Sequence, residues 1–381
     1  MNRTSLTGWA LEKALADKLR ELLGHIPWLA NCKMQRTMAA FKEDPGFDLT
    51  AALPLPGGIT VELNVECKAD PRPSQFPYID VTHYYQPPGK PQVYVFAAPY
   101  IAPRMADVCW SHNWSWFDLA GNCRLSVPGI LYIERTGRVP AHGRVRPTAN
   151  LGTPEAGRVI RSLLVPENAS MRWTQRHMEE HFGQLEKPIE EPSLGLINKV
   201  VRHLRDEAFI EFLKDGGFRL RDPVKLLFAW RDAYRFNRHE RRGYFTLLQG
   251  KNLRDALARL GLQTGGFATY AAFSAAEFQA PHVRQAKTWL YVRGQQISKF
   301  EELVEAKPVE SGENLVVLIP DDDGIFYMSE GGRMGDNRMA CTNAVQTYVD
   351  LAHCGGRGQE AAEALLEQRL KPEWKRRGLN V

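Results

Sequence analysis

The sequence lacks the features of a disulfide-rich, zinc-binding or membrane protein. Its 381 residues include only six cysteines, which form no CxxC pair and no zinc-type pairing with histidine. We therefore expect reduced thiols in an intracellular protein. No apolar run approaches the ~20 residues that a membrane helix needs, and the amino terminus leads into a charged helix rather than a signal peptide. These absences predict a soluble, cytoplasmic protein.

Other signatures are also missing. There is no internal repeat or low-complexity segment, and Gly265-Gly266 lacks the Lys-Ser/Thr of a phosphate loop, which favours a simple turn. The triplet Asp321–Asp323 could bind a cation, although turns rich in aspartate are common. The net charge is only +5, from 49 basic and 44 acidic residues, which permits nucleic-acid binding without requiring it. At ~100–200 residues per domain, the length predicts two or three domains.

The sequence does contain two stretches, residues 47–53 and 59–68, in which apolar and polar residues alternate. They are separated by Pro54-Leu55-Pro56-Gly57-Gly58. Alternation of this kind predicts half-buried strands, and the intervening residues predict a turn. Glu66 and Lys68 then share one face, pointing away from the core. If the hairpin centres near Pro56, Asp48 lies opposite Asn64 and diagonal to Glu66, and diagonal neighbours are roughly 7–8 Å apart.

These residues suggest a chemistry. Asp48 and Glu66 could share one Mg²⁺ or Mn²⁺, because hard cations prefer carboxylate oxygens and water. Lys68 could orient a water or offset the charge of a phosphate. The set predicts metal-assisted phosphodiester hydrolysis. The alternative is a solvated strand face that carries ordinary charges.

At these positions the chain resembles the PD-(D/E)XK nuclease superfamily. The matching segments are Gly46-Phe47-Asp48-Leu49 and Val65-Glu66-Cys67-Lys68. The resemblance implies a catalytic role for Asp48, Glu66 and Lys68, and it makes Glu12, in the predicted helix 8–24, the candidate for the glutamate that the family often adds. Two features depart from the pattern: Pro45 does not directly precede Asp48, and the helper candidate Gln75 lies among prolines rather than on a clear helix.

The rest of the first domain is predicted to contain both strands and helices. A buried strand at 92–98, a helix near 103–111 and further strands that end at 130–133 predict a mixed sheet flanked by helices. The domain is expected to end near residue 140, before a basic linker at 138–152.

A winged helix-turn-helix is predicted next. Thr153 caps a first helix, a second covers about 171–182, and Ser193 caps a third at 194–206. Strands at 209–213 and 218–220 around a turn then form the wing. The third helix normally enters the major groove of DNA.

The predicted DNA contacts lie on that third helix and on a basic, aromatic stretch beyond it. The third helix offers Asn198, Lys199, Arg202, His203 and Arg205, which can read base edges or hold phosphates. The stretch 230–242 adds Arg238, Arg241 and Arg242. The alternative is a solvated amphipathic helix in a winged-helix fold used for protein contacts.

The overall expectation is a mixed α/β protein of three domains. Residues 1–140 form a restriction-endonuclease-like α/β domain, 150–245 the winged helix-turn-helix, and 246–381 a carboxy-terminal α+β domain. The last contains predicted strands at 288–292 and 315–319 and a closing helix at 359–370.

A second, more diffuse resemblance covers most of the chain. Residues 98–104 (APYIAPR), 118–122 (DLAGN), 345–351 (VQTYVDL) and 355–358 (GGRG) resemble the AbiEi family of type IV antitoxins and transcriptional regulators. The resemblance implies that the helix-turn-helix binds the operon's own promoter. It also implies that the carboxy-terminal domain acts against a nucleotidyltransferase toxin.

Two functions therefore compete. The first is a Mg²⁺-dependent DNA endonuclease targeted by a winged helix, in bacterial defence or mobile-element biology. The second is an antitoxin and transcriptional repressor without nuclease activity. Both predict binding to double-stranded DNA, whereas a scaffold without nucleic acid explains neither set of residues. Whether the protein is a homodimer stays open.

Overall fold

The structure is a computed structural model that describes residues 8–29, 33–36, 47–54, 57–78, 91–127, 129–139, 149–185, 190–331 and 338–381. At 33–36 and 77–78 it describes the backbone alone. The chain divides into two compact units, residues 1–146 and 147–381, inside the segment predicted as a linker. Most of that linker, 140–148, lies outside the described residues. No helix in these described ranges combines the length and apolar character that crossing a membrane requires.

The first unit is built on a seven-stranded sheet in the order β1 to β7. Its strands are β1 (Lys33–Arg36), β2 (Leu49–Pro54), β3 (Thr60–Cys67), β4 (Gln92–Ala98), β5 (Ser115–Asp118), β6 (Cys123–Val127) and β7 (Leu131–Arg135). Its helices are α1 (Gly8–Gly24) and α2 (Pro103–Ser111), with 3-10 turns at Pro27–Leu29 and Pro73–Tyr78. Strands β1 to β3 pair antiparallel, β3 to β5 parallel, and β5 to β7 antiparallel.

Helices cover both faces of this sheet. Leu15 and Leu19 of α1 are buried against one face with Val65 and Phe117. Met105 and Cys109 of α2 are buried with Phe96 and Trp116 on the other. Alternate residues of one strand point to opposite faces, so β4 contributes to both cores. The structure thus confirms a mixed α/β fold.

The predicted register of the first hairpin is wrong by two residues. Thr50, not Asp48, lies opposite Asn64, and Leu49 lies opposite Val65. The hairpin centres on Gly57. Gly57 and Gly58 have φ angles of +85° and +78°, a conformation that glycine adopts without steric cost. The register therefore places Asp48, the residue before β2, beside Glu66 rather than diagonal to it.

The predicted polar face of β3 is also less exposed than expected. Asn64 is only 5% exposed, and its Nδ2 donates a hydrogen bond to Oε1 of Gln92 at 3.2 Å. The reason is that β4 lies alongside and α2 covers the face that Asn64 shares with Phe96.

The second unit has more helices. They are α3 (Pro154–Leu164), α4 (Pro166–Ala169), α5 (Gln175–Gly183), α6 (Leu194–Asp206), α7 (Pro223–Ala233), α8 (Gly250–Gln263), α9 (Ala272–Gln279), α10 (Ile297–Leu303), α11 (Ala344–His353), α12 (Gly358–Leu365) and α13 (Lys371–Arg376). A π-helical turn, Leu366–Leu370, joins α12 to α13. The strands are β8 (Ile210–Phe212), β9 (Phe218–Leu220), β10 (Glu240–Phe245), β11 (Ala268–Tyr270), β12 (Thr288–Val292), β13 (Lys307–Pro308) and β14 (Leu315–Ile319).

Helices α3, α5 and α6 are followed by the β8–β9 hairpin, which is the order of elements predicted for a winged helix. The hairpin pairs Ile210 with Leu220, and Trp173 adds a bridge to Phe218 through reciprocal backbone hydrogen bonds of 2.8 Å. The side chains of Thr153 and Ser193 cap α3 and α6, as predicted. The second predicted helix begins later than expected, at Gln175.

The remaining strands form a five-stranded sheet in the order β11-β12-β14-β10-β13. Strand β10 falls within the segment predicted as winged helix, yet it pairs with β14. Buried Arg158 and Arg161 of α3 donate hydrogen bonds to Asp322 and Gln346 at 2.8 and 2.6 Å. The segments 150–245 and 246–381 therefore share one compact unit, and the boundary predicted near 245 stays a prediction.

Candidate functional site

The acidic residues of the first unit gather at the carboxyl end of β3. Asp48 directly precedes β2, and its Oδ2 accepts a 2.7 Å hydrogen bond from the backbone N–H of Cys67. Glu66 and Lys68 flank Cys67 in the sequence, and the Lys68 ammonium donates to Oε1 of Glu66. The structure therefore brings together the three residues that the hairpin predicted.

Two pKa shifts describe the electrostatics of this cluster. Burial raises the pKa of Glu66, and the nearby Asp48 charge raises it further, while the hydrogen bond from Lys68 opposes both. Burial also raises the pKa of the Cys67 thiol, with added contributions from the charges of Asp48, Glu66 and Glu12. Glu12, on α1, thus lies within electrostatic reach of the same thiol as the other two carboxylates.

The cluster offers few ligands to a metal. Asp48 and Glu66 supply the oxygen atoms that Mg²⁺ prefers, and this ion often binds through one or two carboxylates and several waters. Within the described part of the chain, no group of three or more His, Cys, Asp and Glu side chains is arranged to hold a metal. An ion at this site would therefore be held by two carboxylates and water.

Gln75, the helper candidate of the nuclease pattern, lies in the 3-10 turn Pro73–Tyr78 and is exposed.

The Asp321–Asp323 triplet is engaged in ion pairs with arginine. Asp322 is buried, and its Oδ1 lies 2.5 Å from Nη2 of Arg158. Oδ2 of Asp323 lies 2.7 Å from Nη2 of Arg293. Asp321 lies 3.8 Å from Arg238. These pairs account for the triplet without a bound cation.

The exposed side of α6 is the strongest candidate for contact with nucleic acid. Lys199 and Arg202 are exposed and have no acidic partner among the described residues. Asn198 is half-buried, and its Oδ1 accepts a 3.2 Å hydrogen bond from Nε2 of Gln175 on α5. Arg205 instead donates to Asp206 at 3.0 Å and lies 5.6 Å from the Phe212 ring, which ties it to the wing.

His203 is not on the exposed side, contrary to the prediction. Its exposure is only 9%, because its position on α6 falls between the buried residues Val200 and Leu204. Burial lowers the pKa of His203, and the neighbouring Asp206 opposes that effect. This residue therefore belongs to the core of the winged helix.

Arg238, Arg241 and Arg242 do not form one basic face. Arg241 and Arg242 are consecutive in β10 and so point to opposite faces of the sheet. Each also has an acidic partner: Arg241 lies 3.3 Å from Glu313, and Arg242 lies 2.8 Å from Glu240. The stretch that contains them is not one helix, because α7 ends at Ala233 and β10 begins at Glu240.

Two further cations near α6 were not predicted. Arg176 on α5 and Lys214 at the tip of the wing are exposed and have no acidic partner among the described residues. The position of Lys214 in the turn between two predicted strands could have identified it, since wing tips commonly approach the DNA backbone. Arg219, also on the wing, is paired with Glu211.

Comparison with known proteins places one segment in a functional context. Residues 219–371 match the model of a family described as "Transcriptional regulator, AbiEi antitoxin, Type IV TA system". No curated protein and no solved structure matches the chain. The match begins in β9 and covers most of the second unit. It includes the segments 345–351 and 355–358 that suggested this family, whereas 98–104 and 118–122 lie outside it.

Proposed function

We propose that this protein is a transcriptional regulator and antitoxin of a type IV toxin–antitoxin system, and that it binds double-stranded DNA through α6. The observation that carries the proposal is the helix α6, whose exposed Lys199 and Arg202 have no acidic partner among the described residues. It precedes a wing that leads into the segment matched by the AbiEi family model. The family description supports a regulatory role and a toxin partner for that segment.

The geometry of α6 supports a specific mode of contact. Helices α5 and α6 would be the helix-turn-helix pair. The second helix of such a pair, here α6, lies in the major groove with its exposed side toward the bases. Lys199 and Arg202 would hold phosphates or guanine edges, and Asn198 would read adenine. The wing, with Lys214 at its tip, would follow the adjacent backbone. The DNA is expected to be the promoter of the protein's own operon.

A footprint on that promoter tests the proposal. The parent protein should protect a defined site upstream of its own gene and repress a reporter driven from it. The double variant K199A/R202A should lose both effects, because neither cation has an acidic partner among the described residues and both are free to contact phosphate. E179A serves as the matched control on α5. Protection of unrelated DNA as strong as that of the promoter would contradict a regulatory role.

The antitoxin half of the proposal has a separate test. The partner is expected to be a nucleotidyltransferase toxin encoded beside this gene. Co-expression of this protein should restore growth to cells that produce the toxin. Growth arrest that persists at equal expression would remove the antitoxin role and leave the repressor role standing.

A second candidate function is cleavage of DNA by the first unit. It is favoured by the proximity of Asp48, Glu66 and Lys68, with Glu12 nearby. These residues lie at β3, which pairs antiparallel with β2 on one side and parallel with β4 on the other. Asp48 and Glu66 would hold Mg²⁺ or Mn²⁺, which when bound would polarise a phosphate and lower the pKa of water. Lys68 would then position the scissile phosphate or the attacking water.

The nuclease candidate predicts that the parent protein nicks supercoiled DNA with Mg²⁺ or Mn²⁺ and that D48A and K68A do not. Metal should also raise the melting temperature of the parent by mass action but not that of D48A. E62A, on the same strand, is the control and should behave as the parent in both assays. Equal cleavage by all variants would assign the activity to a contaminant, and no cleavage by the parent would remove this candidate.

A further inference from the structure

The first unit contains a cleft that neither proposed function uses. It lies beside α2 at the carboxyl ends of the parallel strands β4 and β5, and its volume is about 350 Å³. Ligands of open α/β sheets bind at this end of the strands, and small-molecule sites begin at about 300 Å³. The cleft is lined by Tyr100 and Asn122, from two motifs that otherwise have no functional role here.

The floor of the cleft is a row of side chains across three strands. Trp116 of β5 pairs with Arg124 of β6, which pairs with Glu134 of β7, and paired residues project from the same face of a sheet. Trp116 is 4% exposed, and its indole N–H has no hydrogen-bond acceptor in the described part of the chain. That nitrogen is itself buried, so Trp116 offers the cleft an edge of its ring rather than a hydrogen-bond donor.

Aromatic rings hold Arg124 in place at the rim. Its guanidinium carbon lies 3.3 Å from the centre of the Trp110 ring, and its Nε donates a 3.0 Å hydrogen bond to the Tyr132 hydroxyl. Both rings are exposed, Trp110 by 40% and Tyr132 by 52%. Arginine planes and aromatic rings arranged in this way stack nucleobases.

A second cation completes the cleft. The Arg138 guanidinium lies over the turn at Gly121, where a Cβ atom would come within 2.9 Å of it. It has no hydrogen-bond or ion-pair partner among the described side chains, whereas its backbone is fixed by Asn122 through bonds of 2.8 and 3.0 Å. The absence of a side chain at Gly121 therefore leaves room for an arginine that can bind an anion.

We propose that this cleft binds a nucleotide, with the base against Trp116 and the stacked Arg124, and the phosphate at Arg138. The carboxylates of Asp107 and Glu134, which also line the cleft, would accept the exocyclic amino group of a base, as carboxylates do for cytosine in DNA. Glu134 also accepts a 2.7 Å hydrogen bond from the Tyr132 hydroxyl. A simple anion would satisfy the arginines but would make no use of the stacking surface at Arg124 or of the Asp107 carboxylate.

Titration calorimetry on the full chain tests the proposal with AMP, GMP, CMP and UMP, and with inorganic phosphate and adenosine as separate arms. At least one nucleotide should bind saturably, and phosphate and adenosine should each bind at least about tenfold more weakly. R138A should weaken binding about tenfold or more, because it removes a charge-assisted contact. R124A should weaken it about fivefold, because it removes the guanidinium plane against which the base would stack. R20A, on the exposed side of α1, is the control and should bind as the parent does.

Arg138 is exposed, so R138A decides the outcome even if R124A fails to fold. The proposal is overturned if no nucleotide binds, if inorganic phosphate binds as tightly as the nucleotides, or if R138A binds as the parent does.

Discussion

At the scale of single residues, Asp350 is the most unusual ionisable group of the second unit. It is fully buried in α11, and its Oδ1 accepts hydrogen bonds from Tyr234, Tyr291 and Gln346 at 3.2, 3.1 and 2.8 Å. Its Oδ2 has no hydrogen-bond partner in the described part of the chain. Burial raises the pKa of Asp350 to about 7, although the three hydrogen bonds oppose the shift. Below about pH 7 the native state therefore holds the Asp350 carboxyl mainly in its protonated form.

This shift predicts a pH-dependent difference between D350N and the parent. The ordinary pKa is 3.8 and the folded value about 7, so between these values the folded parent holds a proton that the unfolded chain has released. Its stability therefore falls as pH rises through this window, by at most about 1.4 kcal/mol per pH unit. D350N lacks this loss, and its stability relative to the parent should rise from pH 5 to pH 7 and then level off.

Denaturant unfolding at pH 5, 6, 7 and 8 measures this difference. The amide of D350N adds an offset through its N–H, and that offset does not change with pH because the amide does not titrate. A difference that is the same at all four pH values would show that Asp350 is not protonated in the native state.

At the scale of elements, the wing depends on one glycine. Gly217 has a φ of +77°, and a Cβ atom there would lie 2.6 Å from the carbonyl oxygen of Trp173. That oxygen accepts the backbone hydrogen bond of Phe218 that joins the wing to the segment before α5. Gly216 has a similar φ of +92°, but its nearest neighbour would be Arg172 Nη2 at 3.8 Å. The two glycines thus share a backbone conformation and differ in the space around them.

The pair predicts unequal costs for substitution by alanine. G216A should cost about 1 kcal/mol for the left-handed backbone alone. G217A should cost about 2–4 kcal/mol, because it adds a clash with backbone that cannot rotate away. Thermal and denaturant unfolding of both variants gives the comparison, with G216A as the matched control. Equal destabilisation would mean that the Trp173–Phe218 bridge does not constrain the wing.

The elements also show which parts of the fold could be predicted from the sequence. Capped helices such as α3 and α6, and buried strands such as β12 and β14, carry local signals and were predicted within a residue or so. The register of β2 on β3 depends on the length of the turn, and the partner of β10 depends on a strand far along the chain. Several residues between β2 and β3 favour a turn, so the sequence does not fix which of them is its centre, and the pairing of β10 with β14 is not a local signal. The hairpin was therefore centred wrongly and β10 was missed.

The same distinction applies to the candidate sites. Alternation along β3 identified Glu66 and Lys68, and the structure places Asp48 beside them. Charge alone could not separate exposed Arg202 from ion-paired Arg241, because the acidic partner of Arg241 is Glu313, far along the sequence. The cleft beside α2 was not predicted, since its lining comes from three loops, a helix and three strands.

At the scale of the whole molecule, charge placement matters more than total charge. The net charge of +5 is small for 381 residues, and many surface arginines are neutralised by nearby carboxylates. DNA binding is therefore expected to depend on cations that have no acidic partner in the described part of the chain. Lys199 and Arg202 on α6 are such cations, and they lie in the unit that contains the family match at 219–371.

The salt dependence of DNA binding tests this account most directly. Fluorescence anisotropy with a labelled duplex from the protein's own promoter gives the affinity of the parent, K199A/R202A and R241A/R242A across a salt series. Each phosphate contact contributes a log–log slope of about −0.9, so K199A/R202A should bind more weakly and reduce the slope by up to about 1.8. R241A/R242A should match the parent in both. A K199A/R202A variant that keeps the affinity and slope of the parent would contradict DNA recognition by α6.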